Sequence, residues 1–158
     1  MAGTRKTNAL RILEGLGIPH RTAEHPVGEE HTDAVEAARL LAVSPDILFK
    51  TLVARGVTGE VFVFCIPGNA ELDRRKAAQA AGVRSVDLVP LKELTALTGY
   101  VRGGCSPVGM KKKYPTFVDE MASTLEHLYV NAGARGLQVI LAPADLLRAA
   151  DAAYADLV

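Results

Sequence analysis

Ile47-Leu48-Phe49-Lys50-Thr51-Leu52-Val53-Ala54 and Glu60-Val61-Phe62-Val63-Phe64-Cys65-Ile66 are two runs rich in β-branched and aromatic residues. Between them stands Arg55-Gly56-Val57-Thr58-Gly59, a spacing and chemistry that suit a hairpin with a longer loop. Pro67-Gly68 ends the second run. On the N-terminal side, Thr7 caps a helix carrying Leu10, Ile12, Leu13 and Leu16, which Gly17 stops, with Pro19 beyond. Residues 18–22 read as a short strand and 26–30 as a polar loop. Thr32 is then the N-cap of a second helix with Ala34, Val35, Ala37, Ala38, Leu40 and Leu41 on its apolar face, closed by Ser44-Pro45.

On the C-terminal side, Leu72 or Asp73 starts a helix running through Ala81 to its stop at Gly82, and Pro90 announces another over 91–97. Residues 99–109 hold Gly103, Gly104, Pro107 and Gly109 and read as a shaped loop. Residues 114–119 form a strand, 128–131 pair with 137–141 across the turn 132–136, and Pro143 with Asp145 starts a last helix to about Ala153. Helices interleaved with hairpin-like strand pairs predict an α+β fold, a curled mixed sheet or partial barrel with helices packed outside, rather than a doubly wound parallel sheet. No repeat or linker divides the chain, so 1–158 reads as a single domain.

The chain has 158 residues, 49% hydrophobic and 23% charged, which excludes disordered, collagenous and low-complexity classes. Two cysteines are too few for a disulfide framework, and Cys65, inside an apolar run, reads as a reduced buried thiol. No signal segment or membrane-length apolar run is present, and a cytoplasmic location is expected. Lys+Arg and Asp+Glu are both 18, so net charge says nothing about nucleic acid. Placement does: between Leu94 and Val118 there is no acid, while Arg102, Lys111, Lys112 and Lys113 all fall there, and Arg74, Arg75 and Lys76 form a second basic run.

Lys50 is the oddest residue on physical grounds, since alternation puts it on one strand face with Leu48 and Leu52. It is either a lysine snorkelling from a strand end or an ammonium held in a pocket for an anionic or carbonyl oxygen, and the pattern alone does not choose. Gly103-Gly104-Cys105-Ser106-Pro107-Val108-Gly109 offers main-chain amides that can approach a ligand carbonyl, or else simply a tight turn. Cys105 as a thiolate nucleophile lacks a histidine placed beside it in sequence. Among His20, His25, His31 and His127 there is no metal-ligand spacing; His25 and His31 with Glu24, Glu29 and Glu30 read as a solvated acidic loop before an ion site. No phosphate-binding loop, dinucleotide fingerprint or serine elbow is present, and no metal or cofactor is assigned.

Phe49-Lys50-Thr51-Leu52, the stretch from Thr98-Gly99-Tyr100-Val101-Arg102 through Gly109 to Lys111-Lys112, and Tyr129-Val130-Asn131-Ala132-Gly133-Ala134-Arg135-Gly136 together resemble the YbaK/EbsC family, which edits misacylated tRNA. The resemblance runs from about Thr7 to Val158 and implies a trans-acting Cys-tRNA(Pro) deacylase, related to the editing domain of some prolyl-tRNA synthetases. It implies that Lys50 orients the 3′-terminal aminoacyl-adenosine and that the Gly103 and Gly104 amides belong to the loop that holds the aminoacyl group near its ester carbonyl, neither acting as a nucleophile. The substrate supplies the attacking group through its own thiol or a ribose hydroxyl assisting a water. Thr51, Cys105, Ser106, Pro107, Asn131 and Arg135 fall in the matching substrate-binding motifs, and Arg102 with Lys111 to Lys113 lie where acceptor-stem phosphates would pass.

Three departures from the family pattern bear on specificity. Cys105 stands for an aliphatic residue, Asn131 for serine, and Ala23-Glu24 where some relatives place a tyrosine. The implied partners are mischarged tRNA(Pro) and prolyl-tRNA synthetase. The alternatives are a deacylase for tRNA charged with Ala, Ser or another residue, and a tRNA- or synthetase-binding module without activity.

Overall fold

In a computed structural model, residues 6–29 and 32–158 are described. The first helix, α1 (Asn8–Gly15), forms as its periodicity predicts: Thr7 Oγ1 accepts from the Leu10 amide at 3.1 Å, and Ala9, Leu10 and Leu13 are buried. β1 is Arg21–Glu24, later than the expected 18–22. Ile18 is used instead to finish α1, its amide donating to Leu13 O at 3.0 Å while Gly17 takes φ +68°. In α2 (Ala34–Leu40) the cap is Asp33 rather than Thr32, its carboxylate accepting from the Glu36 amide at 2.8 Å.

β2 (Phe49–Gly56) and β3 (Val61–Pro67) are the predicted hairpin, in antiparallel register from Phe49 opposite Pro67 to Arg55 opposite Val61. α3 (Arg74–Ala81) is capped by Asp73 and stopped by Gly82, β4 is Val86–Leu88, and α4 (Leu91–Thr98) follows Pro90. Then come β5 (Thr116–Asp119), a 3-10 turn over Glu120–Thr124, β6 (Leu128–Ala134) and β7 (Leu137–Leu141). α5 (Pro143–Ala150) is shorter than expected: Asp151 at φ +49° turns the chain, and β8 (Ala152–Ala155) runs back parallel to β5. Neither β4 nor β8 is announced by the sequence, because each has too few buried residues to show a period of two.

The strands make two sheets, β1-β7-β6 and β4-β2-β3-β5-β8. The first is antiparallel; the second is mixed, with β3, β5 and β8 mutually parallel. They meet at a parallel bridge between Leu48 and Tyr129, where the Tyr129 amide donates to Ile47 O at 2.8 Å. The curl is therefore real, but the sheets do not close into a barrel. Phe49, Val53, Val63, Cys65, Leu128, Val130, Leu137 and Val139 share the main core with α1 and α5. Phe62, Phe64 and Ile66 pack on the opposite face against Ala77 and Ala78 of α3 and against Leu157. β3 is thus buried on both faces, which is why its sequence reads as one apolar run. Among the described residues no helix is long and apolar enough to cross a membrane.

Candidate functional site

The faces turned away from the main core meet where β2 abuts β6, and a cleft of about 540 Å³ opens there. Lys50 enters it from β2. On its strand face it stands between Leu48, clustered with Ala37 and Ala38 of α2, and Leu52, packed toward the α3 cluster. It is part-buried and has no hydrogen-bond or ion-pair partner among the described residues. Lys50 is therefore a cleft-lining residue of the β2 face. Four exposed apolar side chains, Val27, Val35, Leu88 and Leu91, form part of the lining.

The glycine loop reaches the cleft through Gly103 and Cys105, while Gly104, Ser106 and Pro107 lie buried behind it. Gly103 has φ +80°, and its carbonyl accepts from Asn131 Nδ2 at 2.9 Å. Gly104 is pressed against the β6–β7 turn so closely that a Cβ would sit 2.9 Å from Arg135 N. Its amide already donates to Val101 O at 2.9 Å, so of the two expected oxyanion donors this one is committed inside the loop. Ser106 Oγ accepts from the Val108 amide at 3.1 Å, and the Tyr100 hydroxyl donates to Val108 O at 2.7 Å, fixing the loop from within.

Asn131 sits at the β-bulge in β6. Its amide group also donates to Ala134 O at 3.1 Å, and its carbonyl oxygen accepts from the Gly133 amide at 2.7 Å, so the side chain is a clamp between turn and loop. Arg135 donates to Gly28 O at 2.7 Å and holds the turn to the segment after β1. Thr51 lines the cleft, its hydroxyl 3.9 Å from Cys65 Sγ.

Burial pushes the Cys105 thiol up to about 11, against a smaller opposing contribution from the Thr98 hydroxyl. Cys65, fully buried, is pushed to about 12. Burial thus disfavours the thiolate form of both at neutral pH. Of the basic residues, Arg102 lines the cleft; Lys111, Lys112 and Lys113 are exposed outside it, and Lys113 pairs with Asp151 at 2.8 Å. Glu30 and His31, part of the acidic loop cluster, lie outside the described residues.

Residues 29–149 match the family model for the aminoacyl-tRNA editing domain. The chain belongs to that family. The editing domain is 42% identical over 153 residues, 97% of the chain and 93% of the relative, to an Enterococcus faecalis protein provisionally named Cys-tRNA(Pro)/Cys-tRNA(Cys) deacylase EbsC. It is 29% identical over 122 residues, 77% of the chain, to a proline–tRNA ligase of Shouchella clausii, of which the match covers 21%. A crystal structure described as a provisionally assigned trans-editing enzyme for prolyl tRNA synthetase superposes with a TM-score of 0.82 at 28% identity, covering 98% of each chain.

The sequence reading of this editing domain missed Gln138, which lines the cleft beside Asn131 while its strand neighbours Leu137 and Val139 enter the core. The signal was available: a single polar residue within Leu137-Gln138-Val139-Ile140-Leu141 is as anomalous as Lys50 in its own strand. Leu88 was missed because β4 was, and Leu91 because it was read only as the start of a helix.

Proposed function

We propose that this editing domain is an aminoacyl-tRNA deacylase that clears Cys-tRNA(Pro) in trans. The observation that carries the reading is the part-buried, unpartnered Lys50 ammonium standing in the cleft beside Gly103. The identity to EbsC and to a segment of a proline–tRNA ligase supports the substrate and a partnership with prolyl-tRNA synthetase. Lys50 faces the ester end of the aminoacyl-adenosine, where a cation gains strength from the low-dielectric surroundings. The apolar side chains of the lining offer the terminal base a surface to cover.

The reaction needs no protein nucleophile. A water oxygen, assisted by a ribose hydroxyl, adds to the ester carbonyl; the bond from that carbon to the ribose oxygen breaks, and the ribose oxygen takes the proton. With a cysteinyl ester the substrate's own sulfur can form the new bond to carbon, the ribose oxygen again leaving as a hydroxyl. In both routes the protein positions the ester and stabilises the charge developing on the carbonyl oxygen. Gly103 and the buried Gly104-Ser106-Pro107 segment shape the acyl side, with Thr51, Cys105, Asn131 and Arg135 around it. Arg102 meets the nearest backbone phosphate, and Lys111 to Lys113 meet more distant ones.

A panel of tRNAs charged with Cys, Ala, Ser and Pro tests this. Cys-tRNA(Pro) is expected to be hydrolysed fastest, and Lys50→Ala to lose roughly 100-fold in rate with an unchanged circular dichroism spectrum. Survival of every ester with the wild-type protein rejects the deacylase reading, and faster turnover of Ala- or Ser-tRNA reassigns the pocket.

A further inference from the structure

The basic run Arg74-Arg75-Lys76 takes no part in the cleft. It opens α3, and tertiary contacts divide it. Lys76 Nζ donates to Asp156 Oδ1 at 3.1 Å and to Val158 O at 2.5 Å, which commits it to the segment after β8. Arg74 pairs with Asp87 of β4 at 3.0 Å. Arg75 is exposed, and its guanidinium has no hydrogen-bond or ion-pair partner among the described residues. The same holds for Arg84, which follows the Gly82 stop of α3 and lines, with Arg74 and Arg75, a shallow groove of about 460 Å³ between α3 and β4. Ala78 and Val86, both buried, underlie this groove, and among the described residues no acidic side chain lines it. Arginine is the side chain whose paired N–H donors match phosphate oxygens.

The strand ladder relates the groove to the cleft. In the β4–β2 pairing Leu88 lies opposite Ala54 and Val86 opposite Gly56. Alternation along β2 puts Ala54, Leu52 and Lys50 on one face, so Val86, Leu88 and Lys50 share a face of one sheet. Val86 lines the groove, and Leu88, about 7 Å further along the strand, lines the cleft. A nucleic-acid stem carries negative charge along its whole length. One that leaves the cleft over β4 therefore brings phosphates to Arg75 and Arg84. An acidic protein would also satisfy these arginines, but a ligand anchored in the cleft is the one that uses their place beside it.

We propose that the α3–β4 groove is a phosphate-binding surface for the acceptor stem of the tRNA, with Arg75 and Arg84 as its free contacts. This rests on the reading of the cleft as an aminoacyl-tRNA site and adds the edge over which the stem leaves it. The contact is additional to those assigned to Arg102 and to Lys111 to Lys113. Arg75 and Arg84 act on binding, remote from the reacting ester.

The test uses full-length Cys-tRNA(Pro), the cysteinyl ester of adenosine, which has the reacting end but no stem, and uncharged tRNA(Pro) for binding over a range of salt concentrations. An Arg75→Ala, Arg84→Ala double variant is expected to lose roughly 10-fold in kcat/KM on the full tRNA, carried by KM, and to match wild type on the adenosine ester. Its slope of log affinity for uncharged tRNA against log salt is expected to flatten by about 2, about one per arginine. Arg75→Lys, Arg84→Lys keeps the charge and is expected to recover most of that slope. An unchanged tRNA slope in the alanine variant, or an equal loss on the adenosine ester, overturns the groove and leaves the deacylase reading standing. Unchanged tRNA binding combined with lost binding of polyglutamate overturns it in favour of an acidic protein partner. If wild type cleaves no ester, the deacylase reading falls, and the salt slope alone decides the groove.

Discussion

Asn131 closes three backbone groups with one side chain, tying the Gly103 carbonyl to the bulge at Gly133 and Ala134. Its replacement by alanine leaves those part-buried groups unpaired, so Asn131→Ala is expected to cost about 1–3 kcal/mol in urea denaturation and to slow hydrolysis by loosening the loop. An unchanged urea midpoint would show that the clamp carries no stability. Lys50 and Gln138 illustrate what was legible at this scale. Each is a lone polar residue in an apolar strand, and alternation assigns its face; it does not say what covers that face. Lys50 drew attention because an uncompensated charge is costly to bury, whereas a neutral amide attracts less suspicion in sequence and more once its acceptor is found without a donor.

At the scale of elements, β8 shows how a short segment is held by contacts distant in sequence. Leu157 is fully buried, its amide donates to Asp119 Oδ1 at 3.0 Å, and its carbonyl accepts from the Asp73 amide at 2.7 Å. The contacts join the chain end to β5 and to the cap of α3. Leu157→Ala is expected to lower the unfolding free energy by about 2–5 kcal/mol through the cavity it leaves, with hydrolysis held within about twofold because β8 lies at the sheet edge opposite β4. Comparable losses of turnover and stability in this variant would contradict that separation. The helices were legible because their caps and stops are local: Thr7 to Gly17, Asp73 to Gly82, Pro90 to Gly99. β4 and β8 were not, since a strand of three or four residues exists by virtue of the partner it pairs with.

For the whole molecule, the buried titratable groups set a pH limit. Burial raises Cys65 and Tyr100 to about 12 and Cys105 to about 11, from ordinary values of 9.0 for thiols and 10.0 for tyrosine. The folded chain therefore keeps protons that the unfolded chain sheds, so the stability these neutral groups contribute is complete below about pH 9 and lost as pH rises toward 11 to 12. Urea midpoints measured from pH 7 to 10.5 are expected to fall above pH 9, and the slope to flatten in a Cys65→Ala, Cys105→Ala double variant. An identical slope in that variant would remove the thiols from the account. The sequence by itself determined where the helices fall, the β2–β3 hairpin, the class of fold and the three motifs that contribute to the cleft, because capping, turn chemistry and alternation act over a few residues. Tertiary structure alone decided that the sheets curl without closing, that Gly104 lies behind the loop while Gly103 faces forward, and that His25 and Gln138 line the same cleft. Those outcomes depend on which strands pair across more than a hundred residues of chain, and pairing energy is not written in either partner alone.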